Sequence, residues 1–206
     1  YVPSGNQVQS GSNNPFENFD FGSFSGKKGI GLNDIIENIE KAKTDENIKG
    51  IYIDLENVPA GIATIEEIRN KLLEFKNGDT SKFIVAYSEV YTQGAYYLAS
   101  VADEIWLNPE GVIEFKGLGA QLMFFKGLLE KMEVEPQVIR YGKFKSAIEP
   151  FILYKMSEAN REQTMKYMGS IWGQIVKGIA ESRGLTPERL NLIADSALVQ
   201  NAKDAV

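Results

Sequence analysis

The run Phe83-Ile84-Val85-Ala86-Tyr87 is apolar at every position. A strand of that kind asks for cover on both faces, the situation of a parallel sheet packed between other layers. An earlier β-branched run, Ile48 to Leu55, ends in Asn57-Val58-Pro59-Ala60-Gly61, a strand followed by a turn. Between the two runs, Ile65, Ile68 and Leu72 fall on one helical face, and Thr64-Ile65-Glu66-Glu67 has the letters of a capping box. Strand, helix, strand at this spacing predicts a right-handed crossover and a parallel sheet, so the fold class is α/β.

The remaining periodicity extends that pattern. Leu32, Ile35, Ile36, Ile39 and Ala42 predict a helix, with Asn33 or Asp34 as its cap. Thr92 opens a short helix running to Ala102, followed by short strands at Glu104–Leu107 and Val112–Phe115. A helix at Phe124–Met132 and a strand at Gln137–Tyr141 come next, so strands tend to arrive in pairs before a helix. Ser157 is placed to cap a long helix striped by Met165, Met168, Trp172, Ile175, Val176 and Ile179, a stripe read as core or subunit interface. Gly184 ends it, and Thr186-Pro187 starts another. Residues 1–31 are rich in Gly, Ser and Asn, with Phe16, Phe19, Phe21 and Phe24 interleaved, and are expected to be a flexible leader or linker before one domain over 32–206. The start at Tyr1 without Met, and the end at Val206 in a stretch read as helical, suggest a piece excised from a longer protein.

Composition narrows the chemistry. The 206 residues include no Cys, which removes thiol nucleophiles, disulfides and thiolate metal sites. They include no His, which removes the Ser-His-Asp triad and the commonest general base. A base in this chain must be Lys, Asp, Glu or Tyr. The net charge of -6, with no basic cluster, argues against nucleic acid as a partner. No run of about 18 apolar residues is present to span a membrane. Neither a metal nor a cofactor is expected.

Three stretches carry more than packing. The turn ending at Gly61 follows a parallel strand and precedes a helix, where backbone N–H groups can form an oxyanion hole. Tyr91-Thr92-Gln93-Gly94-Ala95-Tyr96-Tyr97 stands at the next strand-to-helix junction, a place where α/β hydrolytic folds expose a nucleophile. Gln93 cannot attack a carbonyl, and nothing in the sequence positions Thr92 to do so. The third stretch, Tyr141 to Phe151, sets Lys145 among apolar neighbours, and an amine held in such a setting can act as a base. The same letters are more usually only a basic loop.

Taken in order, these stretches resemble one family. Tyr91 to Ser100 reads Tyr-x-Gln-Gly-x-Tyr-Tyr-Leu-Ala-Ser, then come Ala102-Asp103-x-Ile105-Trp106-Leu107-x-Pro109-x-Gly111-Val112, and Lys145 to Phe151 matches Lys-Ser-Ala-x-Glu-Pro-Phe. The chain is similar to the amino-terminal half of signal peptide peptidase A (protease IV) in its long, duplicated form. That resemblance implies a Clp protease/crotonase-like superhelix of repeated ββα units. It implies a Ser–Lys dyad, with Lys145 as general base and the serine supplied by the carboxyl-terminal half. Gly61 and Gly94 would adjoin the substrate and the oxyanion. Further implications are cleaved signal peptides as substrates, a homo-oligomer such as a tetramer, and anchorage to a bacterial cytoplasmic membrane through a segment outside this chain, with the catalytic domains on the periplasmic side.

Two departures fit that division of labour. Where the serine-bearing half has Ser-Gly, this chain has Gln93-Gly94, and where that half has Asn-Ser-Pro-Gly-Gly, this chain has Ala60 before Gly61. An alanine restricts positive φ, which weakens the case for an oxyanion hole at this turn. This chain is thus expected to be inactive alone. A free lysine has a pKa of about 10.4, so holding one neutral near pH 7 costs roughly 4 kcal/mol. Phe144, Ile148 and Phe151 are expected to enclose Lys145, and Glu149 to face elsewhere. The rivals are a crotonase-like acyl-CoA enzyme and a non-catalytic assembly module of the same fold.

Overall fold

The computed structural model describes residues 30–55, 58–79, 81–138 and 145–205. The expected leader lies almost wholly outside them. The described chain falls into two compact units, one formed by the part up to Lys116 together with the part from Val176 onward, the other by Gly117–Ile175.

The first unit is built on a three-stranded parallel sheet of order β1-β2-β3, comprising β1 (Gly50–Asp54), β2 (Phe83–Tyr91) and β3 (Glu104–Ile113). Helix α1 (Leu32–Thr44) precedes β1, α2 (Ile62–Gly78) joins β1 to β2, and α3 (Gln93–Ala99) joins β2 to β3. The α/β class and the parallel sheet agree with the sequence pattern. One face of the sheet is core: Ile53, Ile84, Ala86 and Ser88 are buried, and Ile65, Ile68, Leu72 and Phe75 of α2 are buried with them. Among the described residues the other face is open: Tyr52 and Phe83 are each 49% exposed and Trp106 59%, so of the cover expected over both sides of β2 the described residues supply one side.

Three boundaries differ from expectation, each for a local reason. Helices α1 and α2 start on Gly31 and Gly61, both extended at φ -65, and neither start has a side-chain cap bond. Asn33, Asp34 and the Thr64 box therefore lie inside helices and cap nothing. The two short strands expected after α3 are one strand interrupted by Pro109. Register passes from Ser88↔Leu107 to Val90↔Val112, and Asn108–Gly111 bulge between. Gly111 is required there, because a Cβ would lie 2.5 Å from the Glu89 carbonyl oxygen. The buried Ser88 hydroxyl supports the partner strand at this point, donating to Leu55 O at 2.6 Å while accepting from Val90 N at 3.1 Å.

Two buried cations tie the helices down. Lys82 Nζ donates to the carbonyls of Ala42, Asp45 and Ile48 at 2.7, 2.8 and 2.9 Å, which joins the end of α1 to the approach of β1. Arg69 of α2 lies over the Tyr97 ring and donates to Gly178 O and Ser182 Oγ of the long helix α6 (Glu158–Arg183). From Ile175 to Ala180 the stripe of α6 is core, whereas Met165 is 63% exposed. Gly184, at φ +65, ends α6, and Thr186 caps α7 (Pro187–Asp195) through the Arg189 N–H, as the sequence predicts.

The second unit holds α4 (Lys126–Lys131), a 3-10 turn Ser146–Ile148, α5 (Glu149–Ile152) and the first part of α6. The strand expected at Gln137–Tyr141 is not seen at Gln137 and Val138, and its remainder lies outside the described residues. No helix among the described residues is long and apolar enough to cross a membrane.

Candidate active site

Gly61 and Gly94 follow neighbouring parallel strands, at the carboxyl edge where open α/β sheets place their sites. Gly94 lies against the start of α2: a Cβ on it would come 3.1 Å from Ile65 Cδ1, in the first turn of the helix that begins at Gly61. The turn before Gly61 closes on itself, with the Ala60 N–H donating to Val58 O at 2.8 Å. That amide is committed to the turn. Ala60 is not among the positive-φ residues and Gly61 has an ordinary extended φ, so the turn makes no use of glycine's conformational freedom.

At the second junction Thr92 caps α3, its Oγ1 accepting the Ala95 N–H at 3.3 Å. Its hydroxyl therefore serves the helix start. Gln93 occupies the first helical position, and its Oε1 accepts the Lys116 N–H at 3.2 Å. The side chain at the expected nucleophile position is thus a tether for the segment leaving β3. Behind it, burial pushes the Tyr91 phenol well above its ordinary range, and the Tyr91 hydroxyl donates to Trp106 O.

Lys145 belongs to the second unit. It stands at the N-terminal end of the 3-10 turn, at φ -86 and ψ 63, and is exposed. Ile148 and Phe151 do not form the expected apolar enclosure, and Phe144 lies outside the described residues. Phe151 is 47% exposed and stacks on Phe125 at 5.9 Å, and Ile148 is only half-buried. The residues after Lys145 are, in contrast, firmly held. Glu149 is 2% exposed, and its carboxylate accepts from Ser157 N at 3.1 Å, Ser157 Oγ at 2.5 Å and Asn160 Nδ2 at 2.8 Å. Pro150 O accepts the Phe125 N–H at 2.6 Å. Glu149 therefore secures the turn of Lys145 to the N-terminus of α6, where the helix dipole favours an anion. Its carboxylate is turned toward Ser157 and Asn160, and among the described residues it makes no ion pair with Lys145. Sequence reasoning found the Ser157 cap and missed this acid, because nothing in its position distinguishes a buried carboxylate from a solvated one.

The profile of Peptidase family S49 matches residues 76–206, which include both the Gln93 junction and the Lys145 turn. The chain belongs to peptidase family S49. Within that family it is 39% identical over 160 residues to Protease 4 of Salmonella typhi, covering 77% of this chain and 26% of that protein. It is 35% identical over 158 residues to Protease 4 of Haemophilus influenzae, covering 76% and 25% respectively. The chloroplastic serine protease SPPA of Arabidopsis thaliana is 33% identical over 156 residues, or 76% of this chain and 23% of that protein. The S49 chain described here thus spans about a quarter of the length of these curated relatives.

Proposed function

We propose that this chain is the lysine-bearing, amino-terminal part of a Ser–Lys peptidase whose serine lies in a carboxyl-terminal half. The observation that carries the proposal is the motif Lys145-Ser146-Ala147-x-Glu149-Pro150-Phe151 inside the S49 match, with its lysine exposed at the head of a turn whose following residues are fixed. In the assembled enzyme the Lys145 amine takes the proton of the serine hydroxyl as it attacks the peptide carbonyl. It then protonates the leaving amine and activates the deacylating water. Because Lys145 is exposed in this chain, the enclosure that a lysine base needs must come from the surface carrying the serine. Gln93, tethered to Lys116, supplies no nucleophile here.

The rest of the proposal extends this division to the whole protein. The fold is a Clp/crotonase-like superhelix of ββα units, completed by the second half and assembled into a homo-oligomer. Its substrates are peptides, cleaved signal peptides among them, and it is held at a bacterial membrane with the catalytic domains on the periplasmic side. The open face at Tyr52, Phe83 and Trp106 supports a covering partner.

Lys145→Ala in the full-length protein, assayed on a fluorogenic peptide, is expected to abolish hydrolysis, and the 206-residue chain alone is expected to show none. Hydrolysis by the purified chain that disappears on Lys145→Ala would place the whole dyad here and refute the split. Unimpaired proteolysis by full-length Lys145→Ala would favour a non-catalytic module, and saturable coenzyme A binding a crotonase-like enzyme.

A further inference from the structure

A second concave site lies in the first unit, and Tyr91 and Tyr96 of the second strand-to-helix junction are part of its lining. It is a cavity of about 560 Å³ between β3, α7 and the stretch from Leu198 to Ala205, with Ile105, Ile113, Ile193 and Leu198 among its walls. The stretch is held in place by the Ile113 N–H donating to Gln200 O at 3.1 Å and by an antiparallel bridge between Val112 and Asn201. Its volume falls in the range of small-ligand sites.

The polar side chains on its walls are Arg183, Arg189, Asp204, Tyr91 and Tyr96, with the Tyr91 hydroxyl committed to Trp106 O. Arg183 and Arg189 both line the cavity, Arg183 from the last turn of α6 and Arg189 from the first turn of α7. Arg183 spends one N–H on Ala102 O at 3.1 Å, and a guanidinium has five to offer. Among the described residues neither arginine is in an ion pair. The lining acid, Asp204, is occupied in its own turn, where Oδ2 accepts the N–H groups of Gln200 and Asn201. Tyr96 adds a hydroxyl. Burial raises its pKa, and Arg183 is near enough to oppose that rise. Two exposed arginines and a tyrosine lining one largely apolar cavity fit a carboxylate, which arginine holds through paired N–H donors, carried on an apolar chain that fills the space behind it.

We propose that this cavity binds an apolar-chain carboxylate through Arg183 and Arg189. The same chemistry is found in the free C-terminus of an apolar peptide and in a fatty acid. Titration calorimetry of the full-length protein separates the sources, with acetyl-Leu-Leu and decanoate as probes and the primary amide of each as a control. We expect at least one acid to bind, and its amide to bind at least tenfold more weakly. Arg189→Ala and Arg183→Gln should each weaken the acid at least tenfold while leaving the amide unchanged. Binding of the peptide acid alone would assign a peptide ligand, and of decanoate alone a lipid one. Equal binding of acid and amide, no binding of either acid at millimolar concentration, or acid binding indifferent to both arginine substitutions would overturn the proposal. The acid–amide comparison needs no substitution, so it stands even if a variant fails to fold.

Discussion

Replacing Glu149 by Gln removes one charge and leaves the side chain's shape nearly intact. The carboxylate accepts from Ser157 N, Ser157 Oγ and Asn160 Nδ2, and the residue is 2% exposed. An amide offers one oxygen and turns two N–H groups toward donors, so at least one of these bonds is lost. A hydrogen bond to a charged group contributes about 1.5–3 kcal/mol. An anion at a helix N-terminus adds about 0.3–1 kcal/mol. Rotation of the Asn160 amide recovers one bond by reversing its contact with the Thr164 hydroxyl, which favours the lower end of the sum. We expect a loss of about 2 kcal/mol, or roughly thirtyfold at 1.36 kcal/mol per decade. Hydrogen exchange measured by mass spectrometry on peptides covering 146–165 should show that loss of protection. In the full-length protein, peptidase activity should fall as the Lys145 turn loosens. Glu158→Gln is the control: it makes the same change of charge in the exposed first turn of α6 and should alter exchange by less than about threefold. Equal effects from the two substitutions, or a Glu149→Gln effect under threefold, would refute the bonding explanation.

Further outcomes follow from the first unit. Lys82→Met keeps the apolar stem but strands the carbonyls of Ala42, Asp45 and Ile48; we expect a loss of about 3 kcal/mol in urea unfolding, against well under 1 kcal/mol for the exposed Lys166→Met. Gly178→Ala would place a Cβ 2.8 Å from Tyr97 Cε2 and 3.2 Å from Arg69 Cζ, both in buried side chains. Overpacking of about 1–3 kcal/mol should outweigh a helix-propensity gain of about 1 kcal/mol, and a higher melting temperature would contradict this. The hydrogen bonds from Lys71 hold the carboxyls of Glu40 and Glu74 below their ordinary range. Depressed carboxylates contribute stability above the unfolded pKa of about 4.3 and lose it as pH falls through the folded value. The stability difference between the parent and Lys71→Met should therefore shrink on acidification below about pH 4.3, and a pH-independent difference would argue against it.

The layout of the first unit was legible because periodicity reports burial directly, and α1, β1, α2 and β2 all appear where their apolar patterns place them. Their starts were less legible. Side-chain letters such as Thr64 and Asn33 suggest caps, whereas these helices begin on glycines whose backbone alone makes the turn. β3 looked like two strands because Pro109 and Gly111 read as breakers, and only the register with β2 shows a bulge. At the site, burial was a misleading guide. Among the described residues the buried lysine is Lys82, with its donors on three carbonyls, while the motif lysine Lys145 is exposed. Lys145 is singled out as a candidate by the residues that follow it, and the reason for one of them, Glu149, is visible only in its bonds to Ser157 and Asn160.

The open face of the sheet also provides an optical handle. Of the chain's two tryptophans, Trp106 stands on that face at 59% exposure, its Nε1 donating to Glu104 Oε2 at 3.1 Å. With Trp172 replaced by Phe, Trp106 becomes the sole indole emitter, and its emission reports the polarity of whatever lies against β3. Seating a partner there shifts the spectrum to the blue and shields the ring from acrylamide quenching, so occupancy of this face can be followed by light alone, without an enzymatic assay.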